Sequence, residues 1–141
     1  MKIKQYNDLS MLEKEELENI YFLTSSTHLK YEYYDYYAEK FPHMFLVAID
    51  ECVLGYVCGL ENTLSSTEQL EMHSYLELFT DELIKYPAHL HINVHPKAQG
   101  KGVGKFLLRD FHLMLKSHGV RGVHIITLEG QANNHFYKAQ G

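Results

Sequence analysis

The stretch Val94-His95-Pro96-Lys97-Ala98-Gln99-Gly100-Lys101-Gly102-Val103-Gly104 joins two patterns of different period through a turn with glycine at 100, 102 and 104. Upstream, Leu90, Ile92 and Val94 alternate with His89, His91, Asn93 and His95, the period-two signature of a strand with two chemically different faces. Downstream, from 102 to about 118, Val103, Phe106, Leu107, Phe111, Met114 and Leu115 recur at helical spacing, and Gly119 supplies the stop. A second strand is expected over 120–128. Strand, glycine loop, helix and strand form a βαβ unit. Its handed crossover makes the two strands parallel and puts the loop at a carboxyl end of the sheet, where ligands bind in such folds.

Working outward, residues 1–5 alternate like a short strand, and Asp8 or Ser10 is placed to cap a helix through about 25. A second helix is expected over 29–41, crowded with Tyr31, Tyr33, Tyr34, Tyr36 and Tyr37 and closed before Pro42. The apolar runs 44–49 and 53–60, separated by Asp50 and Glu51, read as a hairpin of buried strands in which Gly55 and Gly59 mark a bulge or a close approach. Residues 61–71 are polar and read as a surface loop. An amphipathic helix is expected over 72–85 with Leu76, Phe79 and Leu83 inward, and a last helix over 132–140. The fold class is α/β: a mixed, mostly antiparallel sheet with one parallel βαβ unit and helices on both faces, in a single domain over 1–141.

The bulk properties narrow the function. A chain of 141 residues with 45% hydrophobic content can bury one core. Its net charge of -5 offers no basic face for a nucleic acid. No stretch approaches the ~20 apolar residues that span a bilayer, and Lys2-Ile3-Lys4-Gln5 does not open a signal peptide, so a cytoplasmic location with no membrane partner is expected. Cys52 and Cys58 fall on what reads as one strand, too far apart to bridge, and are expected to be reduced and buried.

Glycines at 100, 102 and 104 leave backbone N–H groups open at a helix start. Together with the helix dipole this arrangement favours a pyrophosphate without a basic cluster. A tight connection with no ligand is the plain alternative. The loop lacks the P-loop pattern, since Lys105 is followed by Phe106, and it lacks Gly-x-Gly-x-x-Gly, so nucleotide hydrolysis and dinucleotide binding both recede.

Gln99-Gly100-Lys101-Gly102-Val103-Gly104 resembles the Gln/Arg-x-x-Gly-x-Gly/Ala signature of the GNAT superfamily of N-acetyltransferases, preceded by that family's Val-x-Pro. The segment from Tyr86 to Val94 is similar to the same strand in bacterial members related to the acetyltransferase-like domain of O-GlcNAc hydrolases. The resemblance implies that acetyl-CoA is the cosubstrate, with its pyrophosphate on the amides of Gln99, Gly100, Lys101, Gly102, Val103 and Gly104 and its pantetheine beside Val94. Phe136-Tyr137 matches the Phe-Tyr of the family's second motif, which implies that Tyr137 protonates the leaving thiolate. The family's asparagine seven residues earlier is Gly130 here, and Asn133 or Asn134 is the substitute contact. Members continue past the position of Gly141 with further strands. Without them the strand over 120–128 presents an apolar edge expected to pair with a second copy or a partner.

Amine attack on the thioester needs a base, because an ordinary amine is protonated at neutral pH. His91, beside the glycine loop, is the first candidate and Glu129, at the end of the neighbouring strand with His124, the second; the acceptor is a small-molecule or peptide amine. Two other readings accompany this one. A non-catalytic module would bind acetyl-CoA as a sensor or as a shortened relative. A metal protein would use His89, His91 and His95, but the strand spacing carries His95 roughly 13 Å from His91 and no acidic ligand accompanies them, so no metal is expected.

Overall fold

The protein is described by a computed structural model that covers residues 1–125. Five strands form one sheet in the order β1-β2-β3-β4-β5: Lys2–Gln5, Phe45–Ile49, Val53–Leu60, Ala88–Val94 and Val123–His124. The first four pair antiparallel and β4 pairs parallel with β5. This is the expected mixed sheet, and the parallel pair sits where the βαβ reading puts it. Of the strand expected over 120–128, residues 126–128 lie outside the described residues, as do the helix expected over 132–140 and any pairing along that edge.

Alternation along the strands divides the core into two layers. Phe45, Val47 and Ile49 of β2 and Tyr56, Cys58 and Leu60 of β3 face α1 (Met11–Thr24) and the helical turns that follow it. Leu46, Ala48, Val57 and Leu90 face α5 (Val103–Ser117), which buries Val103, Leu107, Leu108, Phe111 and Leu115. Helices therefore cover both faces. α1 starts on a capping box at Ser10, whose hydroxyl accepts from Glu13 N at 3.1 Å while the Glu13 carboxylate accepts from Ser10 N at 2.8 Å. α5 ends in a paired stop: Gly119, at φ 75°, donates to Lys116 O, and Val120 N reaches back to Leu115 O at 3.0 Å.

The tyrosine-rich stretch forms a π turn over Tyr31–Asp35 that runs into α2 (Tyr36–Lys40). The wide turn presents Tyr34, Tyr36 and Tyr37 to the sheet together, all of them buried, while Tyr31 stays exposed.

Three expectations need correction. The polar segment 61–71 is not a surface loop: it holds a single turn, Thr63–Ser65, and α3 (Thr67–Met72), started by Ser66 Oγ accepting from Gln69 N at 3.2 Å. Thr63 and Gln69 are buried there because their polar atoms have partners on other elements. The helix expected over 72–85 is interrupted at His73, which takes φ -133° and ψ 72°; a 3₁₀ stretch (Ser74–Phe79) and α4 (Thr80–Lys85) follow. Leu76 and Leu83 face inward, but the break in register turns Phe79 outward, 47% exposed. Cys52 is not a strand residue: it lies exposed in the β2–β3 turn, and only Cys58 is buried.

Gly55 and Gly59 mark close approach, as the hairpin reading allowed. A Cβ on Gly59 would stand 2.0 Å from the His89 carbonyl oxygen, and one on Gly55 2.9 Å from Asn93 O, so bare backbone is what lets β3 lie against β4. Gly59→Ala is expected to push the two strands apart and destabilise the fold by about 1–3 kcal/mol or more, which a thermal melt beside the wild type will measure.

Candidate active site

β4 carries two kinds of side chain. Ala88, Leu90, Ile92 and Val94 pack toward α5, and His89, His91 and Asn93 project to the α1 side. The strand then ends in the glycine loop. Its exit is tied down by His95 N donating to Leu54 O at 2.8 Å, by a single turn over Pro96–Ala98 with Ala98 buried, and by Gln99 Nε2 donating to Val94 O at 3.1 Å. Gly100 (φ 77°) and Gly102 (φ 84°) are left-handed, and a Cβ on either would meet nothing within 4 Å. Glycine is required here by backbone conformation and not by packing, and the space above the loop is open.

Gly102 precedes the first helical residue, so the N–H groups of Val103, Gly104 and Lys105 have no carbonyl within the helix to donate to. Val103 anchors the turn in the core, Gln99, Lys101 and Gly102 are exposed, and Gly104 is half-buried. A shallow depression of about 260 Å³ beside the loop is lined by Lys105, Phe106, Arg109 and His112. Lys105 and Arg109 escaped the sequence reading, although their spacing of four on one helix was the available signal.

A larger cleft, about 680 Å³, opens on the α1 side between β4 and the segments 21–33 and 63–76. Among the described residues β4 and β5 pair through Ala88–Val123 and His89–His124, and Leu90, His91 and Ile125 line the cleft. His91 Nε2 lies 3.0 Å and His89 Nε2 2.7 Å from the Tyr37 hydroxyl, which also accepts from Gln69 Nε2 at 3.1 Å. Thr63 Oγ1 lies 2.6 Å from His89 Nδ1. Tyr33 stands edge-on to the His91 ring at 5.1 Å and leans against His73 at 5.6 Å.

Burial, reinforced by the neighbouring imidazoles of His73 and His124, holds the His91 pKa down to about 4. Burial, reinforced by His91, His124 and His73, pushes the His89 pKa well below its ordinary value. Burial also lowers that of His124, whose ring lies 2.7 Å from Tyr86 O through Nδ1. Asn93 is spent on structure: its amide donates to Thr24 Oγ1 at 2.5 Å and to Ser25 Oγ at 3.0 Å, pinning the end of α1 to β4.

The structure thus brings Val94, Gln99, Gly100, Lys101, Gly102, Val103 and Gly104 together as one loop, with His91 a short step back along the same strand. Glu129, Asn133, Asn134 and Tyr137 lie outside the described residues. His95 does not join His89 and His91; its Nδ1 accepts from Lys97 N at 3.1 Å. Among the described residues no group of three or more His, Cys, Asp or Glu side chains is arranged to hold a metal, and no helix is long and apolar enough to cross a membrane.

With this geometry in hand, residues 10–141 match the family model described as the acetyltransferase (GNAT) family. The chain belongs to that family. Solved structures share its fold. The crystal structure of SsHAT superposes with a TM-score of 0.77 at 20% identity, covering 98% of this chain and 88% of the other. A GNAT family acetyltransferase from Brucella melitensis, in complex with acetyl-CoA, gives 0.61 at 19% identity over 96% and 80%. An aminoglycoside antibiotic 6'-N-acetyltransferase from Acinetobacter haemolyticus gives 0.62 at 17% identity over 100% and 90%.

Holding imidazoles neutral in the fold has a thermodynamic sign. Unfolded, His91 and His89 protonate near their ordinary 6.5; folded, they resist. The stabilisation is therefore complete above pH 6.5 and is lost as pH falls toward the folded value of about 4 for His91. Thermal melts between pH 7 and pH 4 are expected to show a falling Tm, with a shallower slope in His91→Gln.

Proposed function

We propose that this GNAT protein is an acetyl-CoA-dependent N-acetyltransferase whose amides at 99–104 hold the cosubstrate and whose cleft over β4 receives the amine. The observation that carries the reading is the loop itself: two left-handed glycines under open space at the start of a helix of 15 residues. Such a cradle fits a pyrophosphate, because N–H groups without partners and a positive helix end face the same point. Lys105 and Arg109 stand beside it to meet further phosphate charge. Val94, at the carboxyl end of β4 and next to the loop, is placed to run beside the pantetheine. That a Brucella melitensis family member of the same fold was solved with acetyl-CoA supports the choice of ligand. The likeness of residues 86–94 to the acetyltransferase-like domain of O-GlcNAc hydrolases supports a place in that branch, and the cytoplasm is the expected site of action.

When bound, acetyl-CoA supplies an electrophilic thioester carbonyl and a thiolate leaving group. The chain's own residues manage the protons. His91, neutral across the physiological range, accepts a proton from the amine nitrogen as that nitrogen bonds to the carbonyl carbon, and Glu129 is the alternative base. Tyr137 is assigned to protonate the sulfur as the carbon–sulfur bond breaks. A small-molecule or peptide amine is the acceptor.

Calorimetric titration with acetyl-CoA is expected to give micromolar binding in the wild type and none in the Gly102→Glu, Gly104→Glu double variant, which sets carboxylates where phosphates sit. A folded wild type that ignores acetyl-CoA would sink the reading, and binding without transfer to any of a broad amine panel would favour a non-catalytic sensor. In the active enzyme His91→Ala should lower kcat by on the order of a hundredfold. The acid limb that His91 contributes to kcat should lie below the ordinary imidazole value because burial lowers its pKa, and should be lost in His91→Ala; a pH profile unchanged in that variant would remove His91 as the base.

A further inference from the structure

The hydrogen bonds around His89 and His91 form a chain in which one contact decides the position of every proton. Thr63 Oγ1 lies 2.9 Å from Pro87 O, which also accepts from Thr63 N at 2.8 Å. Two oxygens that close repel unless a proton lies between them, so the Thr63 hydroxyl donates to the carbonyl. At its 2.6 Å contact with His89 Nδ1 the same oxygen can then only accept, which puts a proton on His89 Nδ1. Burial keeps His89 neutral, leaving a lone pair on its Nε2. Tyr37, 2.7 Å away, donates its one phenolic proton there. The Tyr37 oxygen must therefore accept at its two remaining contacts, from Gln69 Nε2 at 3.1 Å and from His91 Nε2 at 3.0 Å. His91 carries its proton on Nε2.

We infer that Thr63, His89, Tyr37 and Gln69 are positioning residues that set His91 in the tautomer whose basic atom is Nδ1, the atom that takes the proton of the attacking amine. This rests on the reading of His91 as the base. The second nitrogen of a histidine is normally set by the bond its first nitrogen makes, and here a four-residue chain makes that bond. His91 Nδ1 has no hydrogen-bond partner among the described residues, and the residue lines the cleft. Among the described residues, the groups that face the His91 ring are Tyr33 and Tyr37 from the helical turns, His73 from the segment after α3, and His89 and His124 from the strands. None of them is a carboxylate that would draw the proton to Nδ1. Reversing the chain would require the Thr63 proton to leave Pro87 O for His89, and every later proton would shift with it.

The test needs no variant to begin. Long-range proton–nitrogen NMR correlation on the ¹⁵N-labelled full chain at pH 7.5 should show opposite tautomers two residues apart on β4: Nδ1–H at His89 and Nε2–H at His91. Nδ1–H at His91 would overturn the inference. Thr63→Val should alter the His91 pattern although the two side chains do not touch, and Thr63→Ser, which keeps the hydroxyl, should restore it; an unchanged His91 pattern in folded Thr63→Val would also overturn it. Tyr37→Phe should lower kcat on the order of tenfold or more with the KM for acetyl-CoA unchanged, and loss of acetyl-CoA affinity in its place would count against a positioning role. The tautomers are read without turnover, so a protein with the expected spectrum that acetylates no amine would overturn the proposed activity and leave the proton assignment standing.

Discussion

The phenolic oxygen of Tyr37 is the contact on which the α1 side of the molecule depends. The residue has no exposed surface, and a buried hydroxyl left without partners destabilises a fold by about 1–3 kcal/mol. Its three partners come from two different elements: Gln69 from α3, and His89 and His91 from β4. Meeting that one requirement brings the tyrosine-rich turn, the segment 63–72 and the strand to a common point.

β4 separates two tasks by its alternation. Its apolar face belongs to the α5 core, which holds the strand in register and delivers its carboxyl end to the glycine loop. Its histidine face belongs to the cleft. Because the loop is the continuation of the strand, the backbone at 99–104 and the His91 ring are carried on one continuous stretch of chain. The close approach at Gly59 and Gly55 guards that stretch from the other side, since β3 cannot slide or lift without losing its fit to the β4 backbone.

Much of this was legible in the sequence because period and glycine placement report on backbone directly. The alternation from His89 to Val94, the spacing from Val103 to Leu115 and the stop at Gly119 specify strand, helix and crossover with no knowledge of the remainder. The loop was legible for the same reason. What was not legible is the support of the site. Thr63 and Gln69 sit in a stretch whose polar composition reads as solvated, and their burial follows from partners at Pro87, His89 and Tyr37 that are distant in sequence. His73 breaks a helix that apolar spacing alone would continue, and the resulting phase change turns Phe79 outward. Cys52 was misplaced because a strand pattern does not announce where its turn begins.

The placement of the cysteines gives the molecule two thiols of very different access. Cys52 stands in the open turn between β2 and β3, at the end of the sheet away from the cleft's histidines, whereas Cys58 is sealed in the core and burial raises its thiol pKa. A thiol-directed dye will therefore attach at one address, at the end of the sheet where β4 passes into the glycine loop. Slow capture of the second thiol becomes a clock for the opening of the central strands, because Cys58 is reached only when β2, β3 and the helical layer above them part.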